Sequence, residues 1–366
     1  MDSFIYEQLG GRVVFGIGRV AEVGAEVQRL GDRIMMIADR SAGPIADGIA
    51  SQFGDRLVVR WDEVVQHVPF ELAERARAAA TESDVNVLVC VGGGSSTGLA
   101  KAIALTSGRP ILAVPTTYAG SEQTTIYGLT GDRHKQTGKH PAVKPQVVVY
   151  DPELTVGLPA HVTGASAFNA LAHSVEALYA PGCNPVISAL ALEGVRAIGR
   201  SLAAVITNPG DLEARGDVLY GAYLSGVSLG STAAGLHHKI CHVLGGMFNL
   251  VHADAHSVVL PHAVAYNAPA IPRDAARLAE ALGVSGGDPA AALWDLAVAS
   301  GVPTQLADLH GHDGALRRSD LAAVAEQVAA DVAAMPAPGN PRPVSADDVL
   351  GILQRAFDGF RPGRLT

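Results

Sequence analysis

The first 150 residues alternate short apolar runs with stretches of helical spacing, and this alternation constrains the fold more than any other feature of the sequence. Apolar strands that alternate with helices are typical of a parallel sheet covered on both faces. Neighbouring parallel strands need crossover connections, which are right-handed. The pattern therefore predicts a doubly wound α/β domain. The apolar runs are residues 34–38, 57–59, 87–91, 111–114 and 147–150, and the helical stretches are 20–30, 72–80 and 99–105.

After residues 151–153 the sequence becomes rich in Ala, Leu and Glu at helical spacing, and strand-like runs almost vanish. A break near Pro159 predicts an α/β domain over 1–157 and an all-α domain over 158–366. The Pro-rich segment 335–343 predicts a fixed turn before a last helix at 346–360. The other predicted helices of this half are 165–178, 185–203, 215–229, 274–282 and 290–300.

Composition excludes several classes of partner. The sequence has no apolar run of the about 18 residues that a membrane helix needs, and its N-terminal segment does not have the pattern of a secretory signal. The net charge is −9 and there is no run of Lys or Arg, so we expect no nucleic-acid partner. The three cysteines are widely spaced and odd in number, which favours a reducing cytoplasm over a disulfide framework or a zinc site.

Two glycine-rich turns are candidates for binding a phosphate. The segment 16–21 fits the G-x-G-x-x-A pattern, but its strand is short, and a plain tight turn is the simpler interpretation. Gly92, Gly93, Gly94 and Ser95 follow a strongly apolar strand and precede a helix predicted to begin near Thr97. Glycines let backbone N–H groups approach an anion closely, and a helix N-terminus adds its dipole. We therefore predict that the loop at 92–95 binds a pyrophosphate.

Two more features lie at predicted carboxyl ends of strands, where open α/β sheets bind ligands. Asp39 ends the strand at 34–38 and could accept hydrogen bonds from a ribose diol while repelling a 2′-phosphate. The alternative for Asp39 is a helix N-cap or a solvated loop acid. The segment 115–122 follows another buried strand and clusters hydroxyl groups, which alone is a weak signal.

Histidines of the second half fall at helical spacing. Asn169 and His173 are four residues apart, as are His238 and His242, so each pair shares one face of a helix. His252 follows ten residues later, and His237, His256 and His262 are nearby. Imidazoles that converge on one pocket can be metal ligands, proton donors or anion binders. The alternative for each is a satisfied histidine of the core.

The side-chain types at these positions indicate how well they would bind a metal ion. Such sites usually combine imidazole with a carboxylate, but position 169 carries a neutral amide, which is a poorer ligand for a divalent cation. The amide therefore makes a metal site less favourable, and the absence of a metal is what the family resemblance described below implies. Lys239 lies within the histidine segment, where its charge would suit an anionic substrate, although a solvated surface charge is the alternative.

These motifs resemble those of the iron-containing, group III alcohol dehydrogenase superfamily over essentially the whole chain. Members carry a GGGSxxDxAK loop, which here reads GGGSSTGLAK over 92–101, with Gly98 in place of the acid. Metal-dependent members bind iron or zinc through one Asp and three His, which match Asn169, His173, His238 and His252. Gly98 and Asn169 are departures shared by a group of reductases in the family that are described as working without metal.

The resemblance implies a fold and a cofactor. The fold is a doubly wound α/β domain followed by an all-α domain, as in dehydroquinate synthase-like proteins, with the nucleotide bound by the first. The resemblance assigns the pyrophosphate to the loop at 92–95 and not to 16–21. It makes Asp39 the ribose acid, which favours NADH, with NADPH possible. Further residues implied to line the cofactor are Thr116, Thr117, Ser121 and Lys135.

The resemblance also implies a reaction and a setting. The implied substrate is a dicarboxylate from aromatic-compound degradation whose carbon–carbon double bond, conjugated to a ketone, is reduced. His173, His238 and His252, positioned by Asn169, would stabilise the enolate, and His242, which matches a family histidine near the nicotinamide, would donate the proton. Lys239 and Arg342 are candidates for binding the carboxylates. The implied assembly is a cytoplasmic homodimer.

Two rival interpretations follow from the same residues. A metal-dependent alcohol dehydrogenase could tolerate Asn169 as a weak ligand. A nucleotide-binding module could keep the fold and lose its catalysis, although such a module has little need for stacked imidazoles.

Overall fold

The computed structural model describes residues 4, 6–7, 9–66, 68–131, 135–311, 314–335 and 339–363, and the chain divides into two compact units, 1–158 and 159–366. In chain order the first unit contains β1 (Arg12–Phe15), α1 (Val23–Val27), β2 (Ile34–Ala38), α2 (Gly43–Ala50), β3 (Leu57–Trp61), α3 (Phe70–Glu82), β4 (Val87–Gly92), α4 (Gly94–Ser107), β5 (Ile111–Pro115), β6 (Ile126–Thr130), β7 (Lys135–Lys139) and β8 (Val147–Tyr150).

A six-stranded sheet in the order β1-β8-β5-β4-β2-β3 forms the centre of the first unit, and every neighbouring pair in it is parallel. The four inner strands are buried along their whole length, which is why they consist of unbroken apolar runs. The doubly wound α/β fold predicted from the sequence is therefore confirmed. Its carboxyl strand ends carry Asp39, Gly92 and the segment after Pro115.

Three local predictions for this unit need correction. Helix α4 begins at Gly94 and not near Thr97, so the last glycine belongs to the helix. The predicted helix at 20–30 is α-helical only over the five residues of α1, since a 3₁₀ turn, Arg19–Glu22, precedes it and the N–H groups of Leu30 and Gly31 both donate to Val27 O after it. Strands β6 and β7 form an antiparallel hairpin that periodicity did not indicate, because its residues are largely polar or half-exposed.

The second unit is helical. It contains α5 (Ala160–Ala177), α6 (Pro185–Thr207), α7 (Leu212–Ser231), α8 (Leu236–Phe248), α9 (His252–Asn267), α10 (Pro272–Ala281), α11 (Pro289–Ala299), the two-residue strands β9 (His310–Gly311) and β10 (Gly314–Ala315), α12 (Leu321–Ala333) and α13 (Ala346–Phe357). Helix α13 ends at Phe357, before the predicted Phe360. A single apolar core joins α8, α9, α12 and α13, and this core fixes the two helices that carry six of the thirteen histidines.

Candidate functional site

The glycine loop leaves β4 at Gly92 and enters α4 directly. Gly92 has a φ of 140°, and a Cβ there would lie 2.5 Å from Ser96 Oγ. A Cβ at Gly93 would lie 3.1 Å from Thr117 Oγ1, so a side chain is excluded at Gly92 and would be tightly packed at Gly93. Ser96 is 1% exposed, and its Oγ has no hydrogen-bond partner among the described residues. A buried, unpartnered hydroxyl at the start of a 14-residue helix fits an anionic ligand.

The hydroxyl residues predicted to line the cofactor lie next to this loop. The Thr116 N–H donates to Gly92 O at 3.0 Å, which ties the end of β5 to the loop. Ser121 Oγ is buried, lies 3.9 Å from the Cβ position of Gly94 and has no partner in the described chain. The side chain of Lys135 lies outside the described residues, and only its place in β7 is known.

Asp39 uses its two carboxylate oxygens differently. Oδ1 accepts hydrogen bonds from the N–H groups of Ser41 and Ala42, at 2.8 and 3.1 Å, and so caps the short helical turn Arg40–Ala42. Oδ2 lies 3.6 Å from the Cβ position of Gly92. The N-cap that was the alternative for Asp39 is therefore present, and the second oxygen still lies beside the glycine loop.

Lys101 is a buried cation that holds the segment after the glycine loop. Its Nζ donates to Ser121 O at 2.7 Å, to Thr124 O and Oγ1 at 2.9 Å, and to Ile126 O at 2.8 Å. Burial lowers the pKa of Lys101 to about 7, and burial also raises the pKa of nearby Glu122. This role of Lys101 leaves no signal in the sequence besides a lysine in an apolar helix, because its partners lie 20 to 25 residues further along the chain.

In the second unit the structure brings four of the predicted histidines together. The rings of His173 on α5 and His238 on α8 stack with centroids 5.1 Å apart. His242, one turn further along α8, lies 6.1 Å from His238 and 5.5 Å from His252, the first residue of α9. His173 and His238 are buried, His252 is half-buried, and His242 is exposed. Asn169 is half-buried on α5, one turn before His173.

Glu176 is a site residue that the sequence analysis did not single out. It is 1% exposed and accepts hydrogen bonds from the N–H groups of Gly235 and His237, at 2.9 and 2.8 Å, at the start of α8. The same carboxylate bonds His238 Nδ1 and thereby fixes that ring. Its place one turn after His173 on α5 could have drawn attention to it, whereas its contacts with α8 leave no signal in the sequence.

A second layer of buried side chains lies behind the cluster. His237 and His256 are both fully buried, and His237 Nε2 lies 2.6 Å from His256 Nδ1. His256 Nε2 in turn lies 3.0 Å from His252 Nε2. Cys241 Sγ lies 3.7 Å from His237 Nε2. Burial lowers the pKa of His173, His237 and His256 well below the usual range, which keeps these imidazoles neutral.

The two cations predicted to bind substrate carboxylates differ in placement. Lys239 is half-buried on α8, within the segment that carries the histidines. Arg342 lies over the ring of Tyr266, with its guanidinium carbon 4.2 Å from the ring centroid, and donates to Tyr266 O at 3.1 Å. The structure thus engages Arg342 with the end of α9, and its binding of a carboxylate stays a prediction.

Comparison with protein-family models identifies the class to which this fold and these motifs belong. Residues 10–152 match the model for iron-containing alcohol dehydrogenase, and residues 163–357 match the C-terminal model of the Fe-containing alcohol dehydrogenase family. The chain belongs to the iron-containing alcohol dehydrogenase family, and the resemblance seen in the sequence is confirmed. It is an oxidoreductase.

Within that family the chain is similar to maleylacetate reductases. It is 46% identical over 363 residues to the maleylacetate reductase of Burkholderia cepacia, covering 99% of this chain and 100% of that one. It is 44% identical to the maleylacetate reductase of Sphingobium indicum, with 98% and 99% covered. The crystal structure of maleylacetate reductase from Rhizobium sp. strain MTP-10005 matches with a TM-score of 0.91 at 40% identity, covering 99% of this chain and 100% of that one.

The residues present do not fit the iron or zinc site that the family implies. The matching positions supply three imidazoles and the amide of Asn169, without a carboxylate. Among the described residues, one group of His, Cys, Asp or Glu gathers its donor atoms within 4.8 Å, and it consists of His237, Cys241 and His256. His173, His238 and His252 form no such group within the described chain.

Proposed function

We propose that this chain reduces the carbon–carbon double bond of maleylacetate to give 3-oxoadipate, with NADH as hydride donor and without a metal ion. The observation that carries the proposal is the amide of Asn169 at the family's carboxylate position, one turn from the stacked rings of His173 and His238. Similarity over the full length to maleylacetate reductases of two organisms supports the substrate.

The first unit binds the cofactor in this proposal. The pyrophosphate receives N–H groups of the loop at 92–95 and the hydroxyls of Ser96 and Ser121, which are otherwise unpartnered in the described chain. Asp39 accepts hydrogen bonds from the ribose diol through Oδ2 and repels the 2′-phosphate of NADPH. Thr116, Thr117 and Lys135 complete the lining.

The reaction needs a hydride, stabilisation of negative charge and a proton. Bound NADH would supply a hydride to the alkene carbon β to the ketone, which would leave NAD⁺ and an enolate. Imidazoles of His173, His238 and His252 stabilise the enolate oxygen. Because the Nδ1–H of His238 donates to Glu176, His238 can donate to the enolate from Nε2 only when the ring carries a second proton. His242, the exposed member of the cluster, donates the proton to the α carbon.

A spectrophotometric assay of NADH oxidation with maleylacetate tests this function. Protein incubated with a chelator and freed of metal should keep its activity, and adding iron or zinc should not raise it. Activity that is lost on chelation and restored by either ion would contradict the metal-free reaction. Absence of NADH oxidation under all of these conditions would contradict the substrate.

One observation favours a second candidate, a metal-dependent alcohol dehydrogenase. A carboxylate that holds one nitrogen of a histidine is the arrangement that commonly supports metal-bound histidines, and Glu176 holds His238 in this way. Bound iron or zinc in the purified protein, together with oxidation of simple alcohols, would favour this candidate.

We also propose that the protein is cytoplasmic and forms a homodimer. The described cysteines are all free thiols, which agrees with a reducing cytoplasm. No helix in the described ranges combines the length and hydropathy that crossing a bilayer requires. A homodimer, and the absence of nucleic-acid partners, follow from the family resemblance and the net charge of −9. Light scattering of the purified protein tests the dimer.

A further inference from the structure

We propose that His256, backed by His237, is a positioning residue that fixes the proton of His252 on Nδ1. The proton position follows from the geometry of the second unit, whereas its catalytic consequence rests on the proposed function. Neither His237 nor His256 has a part in the proposed reaction. Both are fully buried, and they continue from His252 as an unbroken row of three imidazoles.

Each contact in this row needs a single hydrogen. His237 Nε2 and His256 Nδ1 are 2.6 Å apart, and His256 Nε2 and His252 Nε2 are 3.0 Å apart, which are hydrogen-bond distances. A neutral imidazole has one N–H and one bare nitrogen. His256 therefore donates to one neighbour and accepts from the other, so that the row has only two arrangements of protons.

The surroundings of His237 determine which of the two proton arrangements is favoured. In one arrangement the donors point toward His252, so that His237 Nδ1 is bare and His252 carries its proton on Nδ1. In the other the donors point away from His252, so that His237 carries a buried N–H on Nδ1. His237 Nδ1 has no hydrogen-bond partner among the described residues. Since a buried N–H without an acceptor is rarer than an unsatisfied acceptor, the first arrangement is favoured.

The unpartnered Nδ1 of His237 also argues against conduction of protons along the row. If His252 received a proton from His256, and His256 one from His237, the emptied His237 would need a new proton at Nδ1. No donor reaches that nitrogen in the described part of the chain, and the thiol of Cys241, 3.7 Å from His237 Nε2, is a poor proton source because burial raises its pKa well above the usual range. The row therefore fixes the position of a proton and does not conduct protons to the site.

A metal ion shared by His237, Cys241 and His256 is the competing explanation. Their donor atoms lie within 4.8 Å of one another. Two nitrogens on one tetrahedral zinc, each about 2.0–2.1 Å from the ion, lie roughly 3.3 Å apart. The 2.6 Å between His237 Nε2 and His256 Nδ1 is too short for that geometry and suits a hydrogen bond.

The test is a long-range ¹H–¹⁵N correlation spectrum of the full chain labelled with ¹⁵N-histidine, with the His252 signals assigned by their loss in His252→Asn. We expect His252 of the native protein to be protonated on Nδ1 and bare on Nε2. In His256→Leu the donor is lost, and the proton should shift toward Nε2. His256→Gln supplies an amide N–H in its place and should retain the native form.

A matched control is His262→Gln, which replaces another buried histidine of α9 outside the row and should leave the His252 spectrum unchanged. If maleylacetate is the substrate, His256→Leu should lower turnover about ten- to hundredfold while the KM for NADH stays near native, and His256→Gln should recover most of the loss. If maleylacetate is not reduced, the spectra still decide the proton position, so the two proposals fail separately.

Three results would overturn the inference. The native His252 could be protonated on Nε2, and this result needs no variant to fold. His256→Leu, with a native unfolding midpoint, could leave the His252 spectrum unchanged. Titration with Co²⁺ could produce a thiolate-to-cobalt absorption band that disappears in Cys241→Ser, which would make the three side chains a metal site.

Discussion

At the residue scale, Asp39 combines a structural and a chemical role in one carboxylate. Oδ1 caps the turn Arg40–Ala42, and Oδ2 lies beside Gly92. An asparagine can still cap through its side-chain oxygen but carries no charge, whereas alanine can do neither. The two roles can therefore be separated by comparing two substitutions at one position.

We expect both Asp39→Asn and Asp39→Ala to narrow the preference for NADH over NADPH, because each removes the charge that repels a 2′-phosphate. Only Asp39→Ala should also lower the free energy of unfolding, by about 1 kcal/mol, because it removes the cap. The measurements are kcat/KM with each nucleotide and urea unfolding. An unchanged nucleotide ratio in both variants would remove Asp39 from the ribose site.

His242 is the exposed member of the histidine cluster, stacked on His252 at 5.5 Å. His242→Ala should lower kcat by about a hundredfold or more, the scale of a lost general acid, while the KM for NADH changes little. His310→Ala, which removes another exposed imidazole of the same unit, serves as the control and should behave as native. Near-native turnover of His242→Ala would exclude it as the proton donor.

At the scale of elements, apolar runs predicted the inner strands because burial on both faces leaves few other choices of residue. The start of α4 at Gly94 could not be predicted, because glycines form loops and helix ends equally well. His173, His238 and His242 were singled out from their helical spacing on α5 and α8, and His252, on α9, from its short distance along the chain from that pair. Glu176, by contrast, acts across 59 residues of sequence on Gly235, and such a contact leaves no periodic signal.

The glycine loop gives a prediction at this scale. Gly92→Ala should abolish or strongly weaken NADH binding, because its Cβ would meet Ser96 Oγ at 2.5 Å and its φ of 140° disfavours any side chain. Gly48→Ala is the matched control, since its Cβ meets nothing within 4 Å and helix α2 should become slightly more stable. Binding is measured by calorimetric titration. Native affinity in Gly92→Ala would contradict the pyrophosphate site.

At the scale of the whole molecule, buried imidazoles make stability depend on pH. Burial, with a smaller effect of Arg355, lowers the pKa of His262 from 6.5 to about 4. The buried rings of His173, His237 and His256 shift in the same direction. Between pH 6.5 and 4 the unfolded chain binds more protons than the folded chain. The stability that is present above pH 6.5 is therefore lost as the pH falls toward 4.

Urea unfolding at pH 6.5 and pH 5 measures this dependence. His262 alone should lower the free energy of unfolding by about 2 kcal/mol across that interval, and the other three buried rings should add to the loss. His262→Gln should reduce the difference between the two pH values. His161→Gln, which changes an exposed histidine of the same unit, should leave it intact. Equal stability of the native protein at both pH values would contradict these shifts.

Glu176 holds the first turn of α8 and the ring of His238 with the same carboxylate. A substitution of Glu176 should therefore have two effects, because a side chain that releases the His238 ring also removes the acceptor for the first turn of α8. On warming, we expect the His238 ring to keep its orientation until the first turn of α8 unfolds. Loss of turnover on warming would then report the opening of this end of α8.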